Sequence, residues 1–138
     1  MKYAVETAVT GDMVLVGDGT YQISEEISIL EKGITVKSLN GPHATILDAG
    51  YPARTNRVFV LESIAGGEKR IYVEGFTIQN GYGAQGILVG GGIYMKQNAT
   101  VRNCIIQNNR ANLGGGVYMN FSSLLENCII RNNIGVVQ

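Results

Sequence analysis

A repeat of 24 residues constrains this chain more than any other feature. Gly90-Gly91-Gly92-Ile93-Tyr94-Met95 recurs as Gly114-Gly115-Gly116-Val117-Tyr118-Met119. Asn103-Cys104-Ile105-Ile106-Gln107-Asn108-Asn109 recurs as Asn127-Cys128-Ile129-Ile130-Arg131-Asn132-Asn133. Residues 90–113 laid on 114–137 give 11 identities in 24 positions. A weaker copy, Val73–Gly81, precedes them at an offset of 28, and the four extra residues fit an insertion in the Gly81–Gly90 loop. Each copy holds short apolar runs split by Gly and Asn, as in Ile93–Met95, Ala99–Val101 and Cys104–Ile106. The same three runs return in the same order, which hairpins do not allow. A coil rising one strand spacing per turn, about 4.8 Å, does allow it. Each strand then lies parallel and in register on its copy, and the core is buried only by stacking neighbours.

The rest of the chain continues the theme. Fifteen Ile and 13 Val against 9 Leu favour strands. Val14–Val16, Ile27–Ile29, Ile34–Val36, Thr45–Leu47, Val58–Leu61 and Ile71–Val73 read as strands. Gly17-Asp18-Gly19, Asn40-Gly41-Pro42 and Gly66-Gly67 read as turns. Tyr3, Ala4, Val5, Ala8 and Val9 suit a short amphipathic helix stopped by Gly11-Asp12. The expectation is one all-β domain over residues 1–138, a parallel β-helix of about four to five coils of ~24 residues.

Stacking demands that each column be compatible with itself. Phe76, Cys104 and Cys128 form one inward column; Ile78, Ile106 and Ile130 form another; Val73, Val101 and Leu125 form a third. Asn80, Asn108 and Asn132 are expected to stack as an amide ladder, with a second ladder at Asn103 and Asn127. The outward column Glu74, Arg102, Glu126 alternates in sign, which favours adjacent strands. Ile105 and Ile129 read as outward, on a face covered by a loop or by another chain.

These residues resemble the right-handed parallel β-helix repeat proteins of the pectin-lyase-like superfamily, chiefly bacterial. Gly11–Val16 followed by Gly19-Thr20-Tyr21 is similar to the family's usual opening of the first coil. Ile34–Ser38, Asn40-Gly41-Pro42, Thr45–Asp48 and Glu74–Gly81 resemble the sections that follow. The glycine blocks are similar to polymorphic outer-membrane protein repeats, with Gly in place of Ala at 92 and 116 and Ile in place of Phe at 106 and 130. The resemblance implies right-handed coiling, a capping helix at residues 2–9, and a secreted or cell-surface location. It implies no activity, because function is grafted onto folds.

Composition and motifs narrow the chemistry. Eleven basic and eleven acidic residues leave no net charge, which argues against a non-specific nucleic-acid binder. No apolar run approaches the length that spans a membrane, and Met1–Thr10 lacks the core of a secretory signal. The three Asp (Asp12, Asp18, Asp48) fall in expected turns of the first coils and form no pair. Fold-related hydrolases need paired carboxylates, and a calcium site needs six to eight oxygens. No catalytic residue, metal site or cofactor is therefore expected. His43 reads as a turn residue. The Gly-Gly-Gly blocks read as coil corners needing positive φ or close backbone approach. Cys104 and Cys128 read as stacked free thiols, one strand spacing apart, a separation that also permits a disulfide. Asn98-Ala99-Thr100 and Asn120-Phe121-Ser122 match glycosylation sequons. Tyr94 and Tyr118 alternate with inward neighbours, point outward and stack. They are the candidate ligand-binding residues, with polysaccharide as the candidate ligand.

The last repeat closes at Val137 without a cap, and free strand edges are pairing templates. The expectation is either a longer solenoid or a homodimer, or another homo-oligomer, through the last coil. Three functions follow from the sequence. The first is a non-catalytic β-helix module with a structural or surface-binding role. The others are a polysaccharide lyase or hydrolase, or a fragment of one, and a glycan-binding module using the Tyr face.

Overall fold

The computed structural model describes residues 1–64, 69–83 and 88–136. The Gly66-Gly67 turn, the middle of the Gly81–Gly90 loop and the closing Val137 lie outside the described residues. The chain opens with helix α1 (Lys2–Thr7). The first coil holds β1 (Met13–Val16), β2 (Gly19–Gln22) and β3 (Ile27–Leu30). The second holds β4 (Thr35–Ser38), β5 (Thr45–Asp48) and β6 (Phe59–Glu62). The third holds β7 (Ile71–Glu74), β8 (Thr77–Gln79) and β9 (Ile93–Gln97). The fourth holds β10 (Ala99–Arg102), β11 (Ile105–Gln107), β12 (Arg110–Ala111) and β13 (Val117–Met119). A last, partial coil adds β14 (Leu124–Glu126), β15 (Ile129–Arg131) and β16 (Ile134–Gly135).

Every strand pairing is parallel, and each full coil gives one strand to each of three sheets. The first sheet runs β1-β4-β7-β10-β14 and the second β2-β5-β8-β11-β15. The third runs β3-β6-β9-β13, and β12 pairs with β16 beside them. About four turns are stacked. The expected columns are in register: Val73, Val101 and Leu125 oppose one another, as do Ile78, Ile106 and Ile130. The strand Gly19–Gln22 falls partly where the sequence suggested a turn. It pairs with β5 through Thr20↔Ile46 and Tyr21↔Leu47, so tertiary pairing overrides the local Gly-Asp-Gly signal.

Helix α1 closes the first coil. It ends two residues short of the expected 2–9, where Ala8 turns extended. Val5 is fully buried in the core. The ammonium of Lys32 donates to the carbonyls of Val5, Glu6 and Ala8 at 2.6, 3.0 and 2.8 Å. One cation therefore satisfies carbonyls that a six-residue helix leaves open at its C-terminal end.

The asparagines divide into two groups. Asn80, Asn108 and Asn132 lie at equivalent positions, but they serve as turning points rather than as the expected amide ladder. Their φ values are 55°, 55° and 53°, the left-handed conformation that Asn tolerates best among residues with a side chain. Asn80 gives its amide to Asp48 of the coil before. The buried ladder stands one residue later. Asn109 is 1% exposed. Its amide donates to the Ile78 carbonyl and to Asn133 Oδ1, while its own oxygen accepts from the backbone N–H of Gly81. Asn133 in turn donates to the Ile106 carbonyl. At the corner between the first and second sheets, Asn127 donates to Asn103 at 2.7 Å.

Close backbone approach accounts for the first two glycines of each block, and the inward amides crowd the third. A Cβ on Gly92 would stand 2.9 Å from the Asn109 amide nitrogen, and one on Gly116 would stand 2.8 Å from Asn133 Cγ. The third glycine of each block thus leaves room for the amide of the coil stacked on it.

Replacing Asn109 by Leu keeps the volume but strands the Gly81 N–H and the Ile78 carbonyl. We expect a loss of about 2–4 kcal/mol in urea unfolding at unchanged far-ultraviolet circular dichroism. Asn108→Gly, at a left-handed turning position, is expected to change stability by less than about 1 kcal/mol.

Candidate functional site

The outer face of the third sheet carries the candidate site. Ile93 and Met95 of β9 are fully buried, so strand alternation turns Tyr94 outward. β13 repeats the sequence but not the burial, since Val117 is half-buried and Met119 is 41% exposed, and Tyr118 lies in register with Tyr94. The two rings meet edge to face, with centroids 5.7 Å apart and planes at 69°. Ser28 of β3 and Val60 of β6 complete the column.

Two cations approach the Tyr94 ring. The guanidinium of Arg57 lies 5.6 Å from its centroid and the ammonium of Lys96 lies 5.9 Å away. Each belongs to an ion pair. Arg57, itself buried, meets Glu26 at 3.3 Å, and Glu26 also accepts from the Ser28 hydroxyl. Lys96 meets Glu62 at 2.8 Å. The hydrogen bond to Glu62 holds the Lys96 ammonium above its ordinary pKa.

A cleft flanks the sheet at each end of its strands. Glu25, Glu26, Arg54 and Asn56, which precede β3 and β6, line one of about 490 Å³. Leu30, Glu31, Glu62 and Gln97, at the far ends of β3, β6 and β9, line another of about 570 Å³. The face therefore offers an aromatic surface, paired charges on both sides and a depression at either end. Such a surface suits an extended ligand with alternating apolar and hydroxylated faces.

The carboxylates are engaged elsewhere. Glu25 is hydrogen-bonded by Lys2 at 2.5 Å, which holds its pKa below the usual carboxylate value, opposite to the shift a general acid needs. Asp12 accepts from the Val9 N–H and Asp18 from the Asn40 amide. Asp48 is the last residue of β5 rather than a turn residue, and it accepts from the Gly50 N–H, Gln79 and Asn80. His43 is exposed beside Pro42. Among the described residues, no three His, Cys, Asp or Glu gather as a metal site would require. Cys104 and Cys128 are free thiols in adjacent coils. Thr77, in the same outward column as Ile105, gives its hydroxyl to the Pro42 carbonyl, so a loop covers that end of the column. Ile105 is buried there, and Ile129 is exposed.

Two further aromatic contacts escaped the sequence reading. Tyr51 and Tyr82 stack with centroids 4.7 Å apart and planes at 22°. They come from loops outside the repeat, so no period announced them. Tyr72 lies outward on β7 with the Arg102 guanidinium 5.2 Å from its ring. Alternation in Ile71-Tyr72-Val73 already carried that signal. The same Arg102 meets Glu74 at 3.0 Å, and Lys37 meets Glu74 from the other side at 3.3 Å. The alternating column thus extends by one residue, to Lys37, Glu74, Arg102, Glu126.

A family profile described as a right handed beta helix region matches residues 18–137. No curated protein and no solved structure matches the chain.

Burial raises the pKa of Glu74, but hydrogen bonds and charge from Arg102 and Lys37 outweigh it and leave the carboxyl below its ordinary value. A carboxylate depressed in the folded state stabilises above its unfolded pKa of about 4.3, and that contribution is lost as pH falls through the folded pKa. Glu74→Gln should therefore cost about 1 kcal/mol at pH 7 and progressively less as the pH falls below the unfolded carboxylate pKa, read from urea unfolding at each pH.

Proposed function

The chain belongs to the right-handed β-helix family, and from that premise we propose that it is a non-catalytic module that binds polysaccharide on the outer face of its third sheet. The observation that carries this reading is the Tyr94–Tyr118 pair, in register, edge to face and half-buried on the outer face of a sheet flanked by two clefts. Sugar rings pack their C–H faces on aromatic rings, and the paired charges of Glu26–Arg57 and Lys96–Glu62 offer hydroxyl partners beside them. The core does not need Tyr94 for packing, since Ile93 and Met95 fill it from the same strand. Glu25, Asp18 and Asp48 are each engaged by hydrogen-bond donors, which favours binding over hydrolysis. In this reading the module works at a cell surface or in secretions, where extended polysaccharides are met.

A second reading concerns the last coil. Ile129, Ile130 and Ile134 are each about half exposed, whereas the in-register Ile105 and Ile106 are 4% and 0% exposed. We propose that a second copy of the chain covers this end, edge to edge, in a two-fold dimer. Identical strand edges supply matching donors and acceptors, and identical apolar ends supply the area.

Calorimetric titration against pectins, alginates and hyaluronan should give binding to at least one polymer. Tyr94→Ala with Tyr118→Ala should weaken it about tenfold or more. No binding across the panel sinks the module reading, and release of new chain ends by the wild type replaces it with an enzyme. Light scattering at high protein concentration should give twice the chain mass, reduced to one by Ile130→Lys. A wild-type monomer rejects the dimer.

A further inference from the structure

We propose that Cys104 and Cys128 are an oxidant-sensitive thiol pair, with Cys128 the attacking and Cys104 the resolving thiol, closing to a reversible disulfide that ties the last coil to the one before. The pair is set by register. Arg102 opposes Glu126 and Ile105 opposes Ile129, so the two cysteines between these pairings stand directly opposite across one strand spacing. That spacing, about 4.8 Å, falls within the Cα separations that disulfides span.

Their surroundings differ in a way that assigns roles. Cys104 is buried beneath the backbone, where the Phe76 N–H donates to its sulfur at 3.4 Å and its own thiol reaches the Arg102 carbonyl at 3.2 Å. Cys128 is half-buried where Cys104 is buried, so a small solute reaches it first. As neighbours across one strand spacing the two thiols influence each other: Cys104 draws the Cys128 pKa down to about 6, while the Cys128 neighbour and burial push Cys104 up. Cys128 is thus the more readily ionised and more nucleophilic thiol of the two near neutral pH. The two thiols follow Phe76 in one inward column, so register alone brings them together.

With a hydroperoxide as oxidant, the Cys128 thiolate attacks the near peroxide oxygen. The O–O bond breaks and hydroxide leaves, protonated to water, with Cys128 left as a sulfenic acid. The Cys104 sulfur then attacks the Cys128 sulfur, the S–O bond breaks, and the departing hydroxide takes the Cys104 proton as a second water. Two thiols have given two electrons, and hydrogen peroxide has become two waters. A low-molecular-weight thiol restores the pair by exchange.

The test treats the folded chain with hydrogen peroxide, alkylates under denaturing conditions, and reads intact and peptide masses. The expected product has lost two hydrogens, carries no alkyl group, links the Cys104 and Cys128 peptides, and reverts with dithiothreitol. Before oxidation, iodoacetamide should label Cys128 about tenfold or more faster than Cys104. Cys104→Ser should instead accumulate oxygen on Cys128, and Cys128→Ser should leave Cys104 unoxidised, both with unchanged circular dichroism. Two alkylatable thiols after peroxide, oxygen added to wild-type Cys128 with Cys104 free, or a disulfide between chains would each overturn the proposal. If a Ser variant fails to fold, the wild-type peptide linkage and labelling ratio decide it alone.

Discussion

Parallel, in-register stacking is the constraint from which the rest of the structure follows. A coil with three short strands buries almost nothing by itself. Its backbone donors and acceptors point along the axis, so only another coil satisfies them. Register then places each residue on its counterpart one turn away, as Val101 lies between Val73 and Leu125. A column must tolerate repetition of its own chemistry. Apolar columns do so freely. Charged columns do so by alternating sign, as in Lys37, Glu74, Arg102 and Glu126. Amide columns do so because an amide both donates and accepts.

The amide column shows how one such choice spreads. Asn109 and Asn133 bring polar side chains into the interior at the turn after the second sheet, where backbone groups of Ile78, Ile106 and Gly81 need partners. Their bulk leaves no room for a side chain at Gly92 or Gly116. The tight Gly block in turn brings the chain round into the third sheet at the position where Tyr94 and Tyr118 come outward in register. Buried amide, glycine corner and aromatic face are links in one local chain of cause. The candidate ligand surface therefore depends on residues that touch no ligand.

Much of this was legible in the sequence because the period is a linear signal. The repeat of Gly90–Met95 at Gly114–Met119 gave parallel stacking, inward columns and an outward Tyr pair directly. Failures occurred where the chain departs from the period. The β2 strand was hidden by Gly-Asp-Gly, since its pairing with β5 is decided across 26 residues rather than locally. The Asn ladder was placed one residue early because Asn108-Asn109 offers two adjacent amides. Which of them faces inward depends on which takes the left-handed turn. The Tyr51–Tyr82 stack joins two irregular loops, and no spacing foretells it.

The sequence by itself determined the coil: its period, its parallel register, the content of its apolar columns and the outward face bearing Tyr94 and Tyr118. Identical neighbours one turn apart admit few other arrangements, which is why one dimension sufficed. Only the tertiary structure decided which groups meet between unlike segments. It set Lys32 under the end of α1, paired Arg57 with Glu26 beside the Tyr94 ring, and enclosed Glu74 between Lys37 and Arg102. It also separated buried Cys104 from half-exposed Cys128, two residues in the same sequence motif. Their difference is one of position in the stack: Cys104 lies between Phe76 and Cys128 in register, and Cys128 belongs to the last described coil.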